Sequence, residues 1–453
     1  MNELKLFLPC AAGVEDFLAE EVHAFTGLQG EDLRTLRGGV MVRASWRDAM
    51  LLNLHSRLAQ RVLVQLSFSQ YRNENDLYEA ASAVAWEIWF TTKQTFKIEV
   101  TAQHSPLTSL NFAALKIKDA IADRFRNKRG ERPDVNTQWP DVRVYAHLTT
   151  DTATLYIDTS GEPLFKRGWR EDKGDAPLKE TLAAAMIAAS GWEADVPLYD
   201  PCCGSGTIAI EAAQIACNIA PGLLRRFGFE KLLPFQEHVW SALKNEAKAA
   251  ETQASVPVFG SDVAFRMVDF AERNAERAGV KGVVQLRGGD ALQRMPPSEV
   301  PGVMLVNPPY GERIETAGVA GAGRGLRGAE RGAARSAGRE EAHTEDGGEF
   351  FSQLATHWKK NYSGWTAWVL TPDLKLPTRM RLKESRRVPM WNGPIECRLF
   401  KFDMIKGSAR TKPDGTNAAQ DNPGSKPGAG QRGDSARTSA NKNELGSDSN
   451  SGQ

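Results

Sequence analysis

Cysteine is scarce in this sequence. The 453 residues include five cysteines, and two of them, Cys202 and Cys203, are adjacent. An odd number without regular spacing excludes a disulfide framework and is typical of a reducing compartment. No CxxC motif or histidine cluster has the spacing of zinc ligands, so we expect no structural metal.

Long apolar runs and an excess of one charge are also absent. No stretch approaches the roughly 18 apolar residues of a membrane span. The first apolar segment is too short for a signal peptide and is interrupted by Glu15 and Asp16. The formal net charge is +1, so any nucleic-acid contact must come from local basic patches. We therefore expect a soluble, cytoplasmic protein.

The first 160 residues alternate strand-like and helix-like segments, which predicts a small α+β module, or two in tandem. Ser45 is placed to cap a helix that continues to Leu58. One helix, predicted over 111–128, has an apolar face and a basic end. Its cations and those that follow it are Arg124, Arg126, Lys128, Arg129 and Arg132. They form either a solvated basic cap, which the helix dipole favours, or a phosphate-contacting patch.

A second basic stretch follows at 164–170, where Lys166, Arg167 and Arg170 alternate with aromatic residues. This pattern fits backbone contact and base stacking on RNA, but a plain interdomain linker has the same composition. The alanine-rich residues 178–185 then predict a helix that packs over the following sheet.

From residue 197 onward, strands alternate with helices, which predicts an α/β fold with a doubly wound parallel sheet. Strands are predicted over 197–199, 256–259, 283–286 and 303–306, with later ones at 366–370 and 396–402. Two segments, 317–348 and 406–453, hold too few large apolar side chains to offset chain entropy, so we expect no fold there. The arginines of the first favour a passive loop, and contact with RNA beside the active site is the alternative.

A glycine turn joins the first strand of this sheet to a helix. Gly204 and Gly206 allow a tight turn and close approach of a ligand, and the helix start at Thr207 offers free N–H groups. The turn satisfies the dinucleotide fingerprint, so an NAD enzyme is one alternative. However, the acid that NAD requires about 20 residues later is missing, and Asp200 precedes the glycines, where it favours a cationic ligand.

S-adenosylmethionine (SAM) fits this arrangement better, because it carries an ammonium and a sulfonium. Asp262 can accept from the ribose hydroxyls and Asp290 from the adenine amino group, while the turn receives the methionine portion. The candidate cofactor-binding residues are Asp200, Pro201, Cys202, Gly204, Ser205, Gly206, Thr207, Asp262 and Asp290.

The fourth strand ends in Asn307, Pro308, Pro309 and Tyr310. The prolines cannot continue a ladder, so Asn307 should lie at the carboxyl end of a strand, where open α/β sheets bind ligands. An amide oxygen and a bare carbonyl can each accept one N–H of a base amine and aim its lone pair at a methyl donor. Tyr310 would stack on the base, flipped out or single-stranded. An ordinary proline-rich turn is the alternative.

Taken together, the segments 200–206, 260–262, 288–291 and 307–313 resemble class I methyltransferases that modify amino groups. Residues 164–170, 176–185 and 118–135 are similar to the THUMP-domain RNA methyltransferases, and most of all to the large-subunit ribosomal RNA guanine-N2 methyltransferases. The resemblance covers nearly all of residues 1–405. Cys202 stands where the family often has methionine, and the segments 317–348 and 406–453 depart from the pattern. Some members carry a second methyltransferase domain, and no second activity is expected here.

The resemblance implies a SAM-dependent enzyme that methylates the N2 amino group of a guanine in 23S rRNA, before the large subunit is fully assembled. It also implies five segments, which are an N-terminal ferredoxin-like part (1–45), a THUMP RNA-binding domain (46–160), a linker with its leading helix (161–190), a methyltransferase domain (191–405) and a disordered tail (406–453). A tRNA, DNA adenine or protein glutamine substrate and a catalytically inactive RNA-binding assembly factor remain open, since the motif marks only a planar amino group.

Overall fold

The computed structural model describes residues 3–174, 177–308 and 347–405. The tail 406–453 and nearly all of the segment 317–348 lie outside these ranges, so the predictions for them stay predictions. None of the helices described combines the length and the apolar character needed to cross a membrane.

The amino-terminal half contains one seven-stranded sheet and four helices. The strands are β1 (Leu4–Pro9), β2 (Leu33–Leu36), β3 (Gly39–Ala44), β4 (Leu63–Gln70), β5 (Phe96–Ala102), β6 (Val142–Leu148) and β7 (Thr152–Asp158). The helices are α1 (Glu15–Thr26), α2 (Trp46–His55), α3 (Glu74–Ala83) and α4 (Leu110–Arg129).

The strand order of this sheet is β2-β3-β1-β4-β7-β6-β5. Strand β1 joins its two parts, because it pairs antiparallel with both β3 and β4, with Leu6 opposite Val42 on one side and Val64 on the other. The two modules considered in tandem therefore share one continuous sheet. Ser45 caps α2 as the sequence predicts, accepting from the Asp48 N–H in a capping box.

The carboxyl-terminal half contains a second seven-stranded sheet. Its strands are β8 (Leu198–Asp200), β9 (Val258–Asp262), β10 (Val284–Gly288), β11 (Val303–Val306), β12 (Thr366–Thr371), β13 (Arg386–Asn392) and β14 (Ile395–Asp403). Its helices are α5 (Glu180–Ser190), α6 (Thr207–Ala216), α7 (Glu237–Ala249), α8 (Phe265–Arg277), α9 (Gly347–Asn361) and α10 (Leu376–Met380).

Strands β8 to β12 are parallel, and the order across the sheet is β10-β9-β8-β11-β12-β14-β13. The chain starts in the middle at β8, adds β9 and β10 on one side, and then crosses to β11 on the other. The order therefore reverses between β8 and β11, and in open α/β sheets this reversal marks the ligand crevice.

The segment between α6 and β9 fastens the two halves to each other. Its backbone N–H groups at Gly222, Phe229 and Leu233 donate to carbonyl oxygens of the amino-terminal half at 2.8 to 2.9 Å. Helix α7 also packs on α2. The largest apolar cluster contains buried residues of both sheets, from Leu6 in β1 to Leu399 in β14, so the halves share one core.

Candidate active site

Four polar side chains lie at the carboxyl ends of four neighbouring parallel strands. Asp200 ends β8, Asp262 ends β9, Asp290 follows β10 by two residues, and Asn307 comes directly after β11. Neighbouring strands are about 4.8 Å apart, so these side chains line one edge of the sheet. All three acids act electrostatically on the same thiol, that of Cys202. The structure thus brings together the acids that the sequence spreads over 90 residues.

The glycine turn lies between β8 and α6. Gly204 and Gly206 have φ of +51° and +88°, in the region that favours glycine. At Gly206, a Cβ atom would lie 3.0 Å from the Cβ of Ala271 on α8, so a side chain does not fit there without a shift. The positive φ and the short distance to Ala271 therefore both require glycine at position 206. The absence of a side chain there allows α6 to lie close to α8.

Asp262 holds the turn in place through its carboxylate. One oxygen accepts the Gly204 N–H at 2.9 Å, and the other accepts the Ala264 N–H at 2.9 Å. Burial raises the pKa of Asp262, and these two amide donors lower it in part. Each oxygen keeps a further lone pair that can accept from a ligand.

Asp200 is the most deeply buried of the acids, at 2% exposure. Burial raises its pKa to about 8, and the neighbouring charge of Asp262 adds to the effect. Its carboxylate accepts the Cys202 N–H at 3.1 Å. A buried carboxyl of this kind prefers the neutral form unless a cation lies beside it, so a cationic ligand would stabilise the ionised form.

Cys202 and Cys203 are not activated nucleophiles. Burial and the nearby acids raise the pKa of both thiols well above the usual value, which keeps them protonated. Pro201 connects Asp200 to this pair. Cys202 and Cys203 therefore contribute small, neutral side chains to this edge of the sheet.

Phe265 is a candidate site residue that the sequence did not predict. It begins α8, its side chain is 78% exposed, and its ring lies against the backbone of Gly288 at the end of β10. Asp290, whose carboxylate accepts the Leu292 N–H at 2.9 Å, follows two residues later. An exposed ring between Asp262 and Asp290 was recognisable only once β9 and β10 were known to be neighbours.

Asn307 and Pro308 follow β11 as predicted, half-buried and buried respectively. Pro309 and Tyr310 lie outside the described residues, so their predicted roles rest on the sequence motif.

Two of the cations predicted to bind RNA are internal, which corrects the prediction. Arg167 is 1% exposed and pairs with Glu211 on α6 at 3.1 Å. Arg170 is largely buried and donates to Glu180, Ser205, Thr207 and the Leu178 carbonyl. An alternation of cations and aromatics cannot reveal such pairs, since the partners lie 10 to 44 residues away.

Arg124 is a further correction. Its guanidinium forms a bidentate pair with Glu87 at 2.7 and 2.8 Å and donates to the Ser82 carbonyl, so it holds α4 against the preceding segment. The remaining cations are exposed, namely Arg126, Lys128, Arg129, Arg132 and Lys166. Arg126 and Lys166 pair with Asp123 and Glu162, and surface pairs of this kind are weak enough to be exchanged for a ligand phosphate.

The sheet order and the acidic strand ends define a class I methyltransferase fold on an α+β module. The family models agree: residues 5–63 match the RlmL ferredoxin-like domain, 71–158 the THUMP domain, and 167–322 the RMKL-like methyltransferase domain. The chain therefore carries a THUMP domain and an RlmL-like methyltransferase domain, preceded by a ferredoxin-like domain.

Among curated proteins, the chain is similar to the ribosomal RNA large subunit methyltransferase K/L of Psychromonas ingrahamii. The two are 37% identical over 405 residues, which is 88% of this chain and 50% of the relative. The chain thus spans about half the length of the curated relatives it matches.

Two solved structures resemble nearly the whole chain. SMU.472, described as a putative methyltransferase complexed with SAH, matches with a TM-score of 0.75 and 26% identity, over 89% of this chain and 98% of that one. A protein from Listeria monocytogenes, described as a predicted N6-adenine-specific DNA methylase, matches with a TM-score of 0.74 and 27% identity, over 89% of this chain and 96% of that one.

Proposed function

We propose that the protein is a SAM-dependent RNA methyltransferase that methylates the N2 amino group of a guanine in 23S rRNA. One observation carries the proposal: three acids at the ends of β8, β9 and β10 lie beside an amide at the end of β11, across the reversal point of the sheet. The names of the curated relatives support ribosomal RNA as the substrate. Such a substrate also implies a cytoplasmic location.

The residues at the strand ends fit SAM, and the SAH complex of SMU.472 supports this choice. The glycine turn and Asp200 would hold the methionine portion, whose ammonium provides the cation that a buried Asp200 lacks. Asp262 would accept from the ribose hydroxyls and Asp290 from the adenine amino group, while Phe265 covers one face of the adenine. When bound, SAM supplies an electrophilic methyl group.

Asn307 and Pro308 would orient the substrate amine. The amide oxygen of Asn307 and the Pro308 carbonyl each accept one N–H, which aims the nitrogen lone pair at the methyl carbon. The amine nitrogen would form a bond to the methyl carbon while the bond from that carbon to the sulfonium sulfur breaks, and its electron pair stays on sulfur, so that SAH leaves as a neutral thioether. The positive charge passes to the nitrogen, which then releases a proton to solvent, so no strong base is required before transfer. Alignment and fixed dipoles account for the rate enhancement. For Pro309 and Tyr310, including the stacking of Tyr310 on the base, the proposal rests on the motif.

The amino-terminal half would bind the RNA. The exposed cations Arg126, Lys128 and Arg129 cluster at the end of α4, and Lys166 lies on the linker surface. We propose that they contact phosphates and position the RNA without reading its sequence. The domain boundaries at 45, 160, 190 and 405 remain part of the proposal.

The test is methyl transfer from labelled SAM to three substrates, which are protein-free 23S rRNA, tRNA and an adenine-containing DNA duplex. The DNA arm is included because the relative from Listeria monocytogenes is named for that reaction. We expect N2-methylguanosine in the 23S rRNA digest, identified by mass spectrometry. Label in tRNA or DNA alone would overturn the substrate assignment. SAM binding without transfer to any of them would indicate an RNA-binding factor.

A further inference from the structure

We propose that Arg170 is a positioning residue that makes the hydroxyl groups of Ser205 and Thr207 donors toward the carboxylate of the bound cofactor. The inference rests on the proposed function, because it assumes that the glycine turn receives the amino-acid portion of SAM.

The contacts of Arg170 are specific and internal. Its Nη1 donates to Ser205 Oγ at 3.2 Å, and its Nη2 donates to Thr207 Oγ1 at 2.8 Å. Its Nε donates to Glu180 Oε1 at 2.8 Å, and the side chains of the pair are 11% and 3% exposed. One guanidinium thus holds both hydroxyl-bearing residues of the turn.

Arginine has five N–H donors and no acceptor, so both hydroxyl groups must accept from it. Their own hydrogens must therefore point away from Arg170. Thr207 is the first residue of α6, where main-chain N–H groups are unsatisfied. Two oriented hydroxyls beside free N–H groups make a site for an anion such as a carboxylate.

Helix stability does not explain this arrangement. The dipole makes a helix N-terminus positive, so a cation beside Thr207 is unfavourable. Glu180 offsets that repulsion, but burying Glu180 costs free energy as well, and burial raises its pKa. The buried pair of Arg170 and Glu180 costs free energy at this position, so we attribute to it the role of orienting the hydroxyl groups of the glycine turn.

The linker also holds α6 further along the same face. Glu211, one turn after Thr207, is fully buried and accepts from Arg167 of the linker and from Arg57 of the amino-terminal half. Arg167 and Arg170 therefore fix the position of the helix, whereas only Arg170 contacts the hydroxyl groups of the turn. This difference allows the two roles to be separated.

The test compares Arg170→Met with the wild type in calorimetric binding of two ligands. SAH carries the carboxylate, and 5′-methylthioadenosine lacks the whole amino-acid portion. We expect Arg170→Met to weaken the binding of SAH about 10-fold, because charge-assisted hydrogen bonds are lost. The affinity for 5′-methylthioadenosine should stay unchanged. Thr207→Val should show the same selective loss. In turnover, KM for SAM should rise while kcat and KM for RNA stay constant.

Arg47→Met is the matched control, because Arg47 pairs with Glu246 at the surface with both side chains at least half exposed, and it should change neither affinity. If Arg170→Met fails to fold, the double variant Arg170→Met with Glu180→Gln removes both charges together. Equal loss of both ligands, or unchanged SAH affinity in a folded variant, overturns the proposal. If the wild type binds neither ligand, the cofactor assignment itself is wrong.

Discussion

At the scale of the residue, the partners of a buried charged group determine whether that group stabilises or destabilises the fold. Glu211 is paired with two arginines, and their charges lower its pKa despite its burial. Asp200 accepts one amide N–H, lies near a second acid, and has its pKa raised to about 8. The fold thus maintains at Asp200 an unfavourable carboxyl that a cationic ligand would stabilise.

The pH dependence of stability follows from that shift. The folded pKa of Asp200 lies above the unfolded value of about 3.9, so its contribution to stability is present below pH 4 and is lost as pH rises through about 8. We expect ligand-free Asp200→Asn to be increasingly more stable than the wild type from pH 5 to pH 8, measured by urea unfolding. A constant difference over this range would contradict the assignment. The same variant should bind SAH more weakly.

Asn307→Ala should lower kcat by about 100-fold, because one preorganised polar contact to the reacting amine is lost. SAH affinity should stay within twofold of the wild type, since the proposed cofactor site lies at the ends of the other three strands. Single-turnover methyl transfer checks the first expectation and calorimetry the second. Wild-type turnover in a variant shown to be folded by circular dichroism would remove Asn307 from the site.

Phe265→Ala should weaken the binding of SAH about 5- to 10-fold, because about 1 kcal/mol of base stacking is lost. The ring is exposed, so the free energy of unfolding should change little. Phe112→Ala on α4 is the control, because that ring is also exposed but lies in the other half of the protein. An unchanged SAH affinity in Phe265→Ala would show that the ring does not face the ligand.

At the scale of the element, the sequence predicted the helices and strands whose bounds are determined by local sequence patterns. The helix Thr207–Ala216 and the strand Val303–Val306 have the bounds expected, since a glycine turn starts one and two prolines end the other. Strand β13, which was not predicted, is an edge strand that contains Pro389, and three of its seven residues are exposed. Such a strand has no apolar signature of its own, because its place is determined by pairing with β14.

In the candidate site, too, the sequence predicted the residues that local patterns determine and failed for those that depend on tertiary contacts. The acids were expected at strand ends and lie there, because each follows a short apolar run. The errors concern Arg124, Arg167 and Arg170. Their partners, which include Glu87, Glu211 and Thr207, come from other segments of the folded chain. A local pattern shows that a charge exists, whereas burial and pairing depend on the tertiary contacts.

Gly206→Ala tests the glycine turn as an element. We expect a loss of about 1 to 2 kcal/mol from the left-handed backbone conformation and weaker SAH binding, because a Cβ atom would push α6 away from Ala271. Gly191→Ala is a matched control: its φ is +71°, and a Cβ atom would meet nothing within 4 Å. Both variants should be less stable in thermal unfolding. Equal SAH affinity in both would show that the turn tolerates a side chain.

At the scale of the whole molecule, the shared core predicts that the two halves unfold together. Apolar packing continues from the first sheet into α5 and α6, and three backbone hydrogen bonds tie the segment after α6 to the amino-terminal half. We expect one calorimetric transition with equal calorimetric and van't Hoff enthalpies. Two resolved transitions would show that the halves are independent.

The hydrogen bonds from Gly222, Phe229 and Leu233 have a consequence for target selection. Because they fix one half against the other, the span between the cations at the end of α4 and the Asn307 amide is a constant length. If RNA binds as proposed, a base-paired stem bound at those cations lies at a fixed distance from the Asn307 amide. The methylated nucleotide is then the one that lies at that distance from the bound stem. Adding a base pair between stem and target should then move the methyl group to a different nucleotide or abolish transfer.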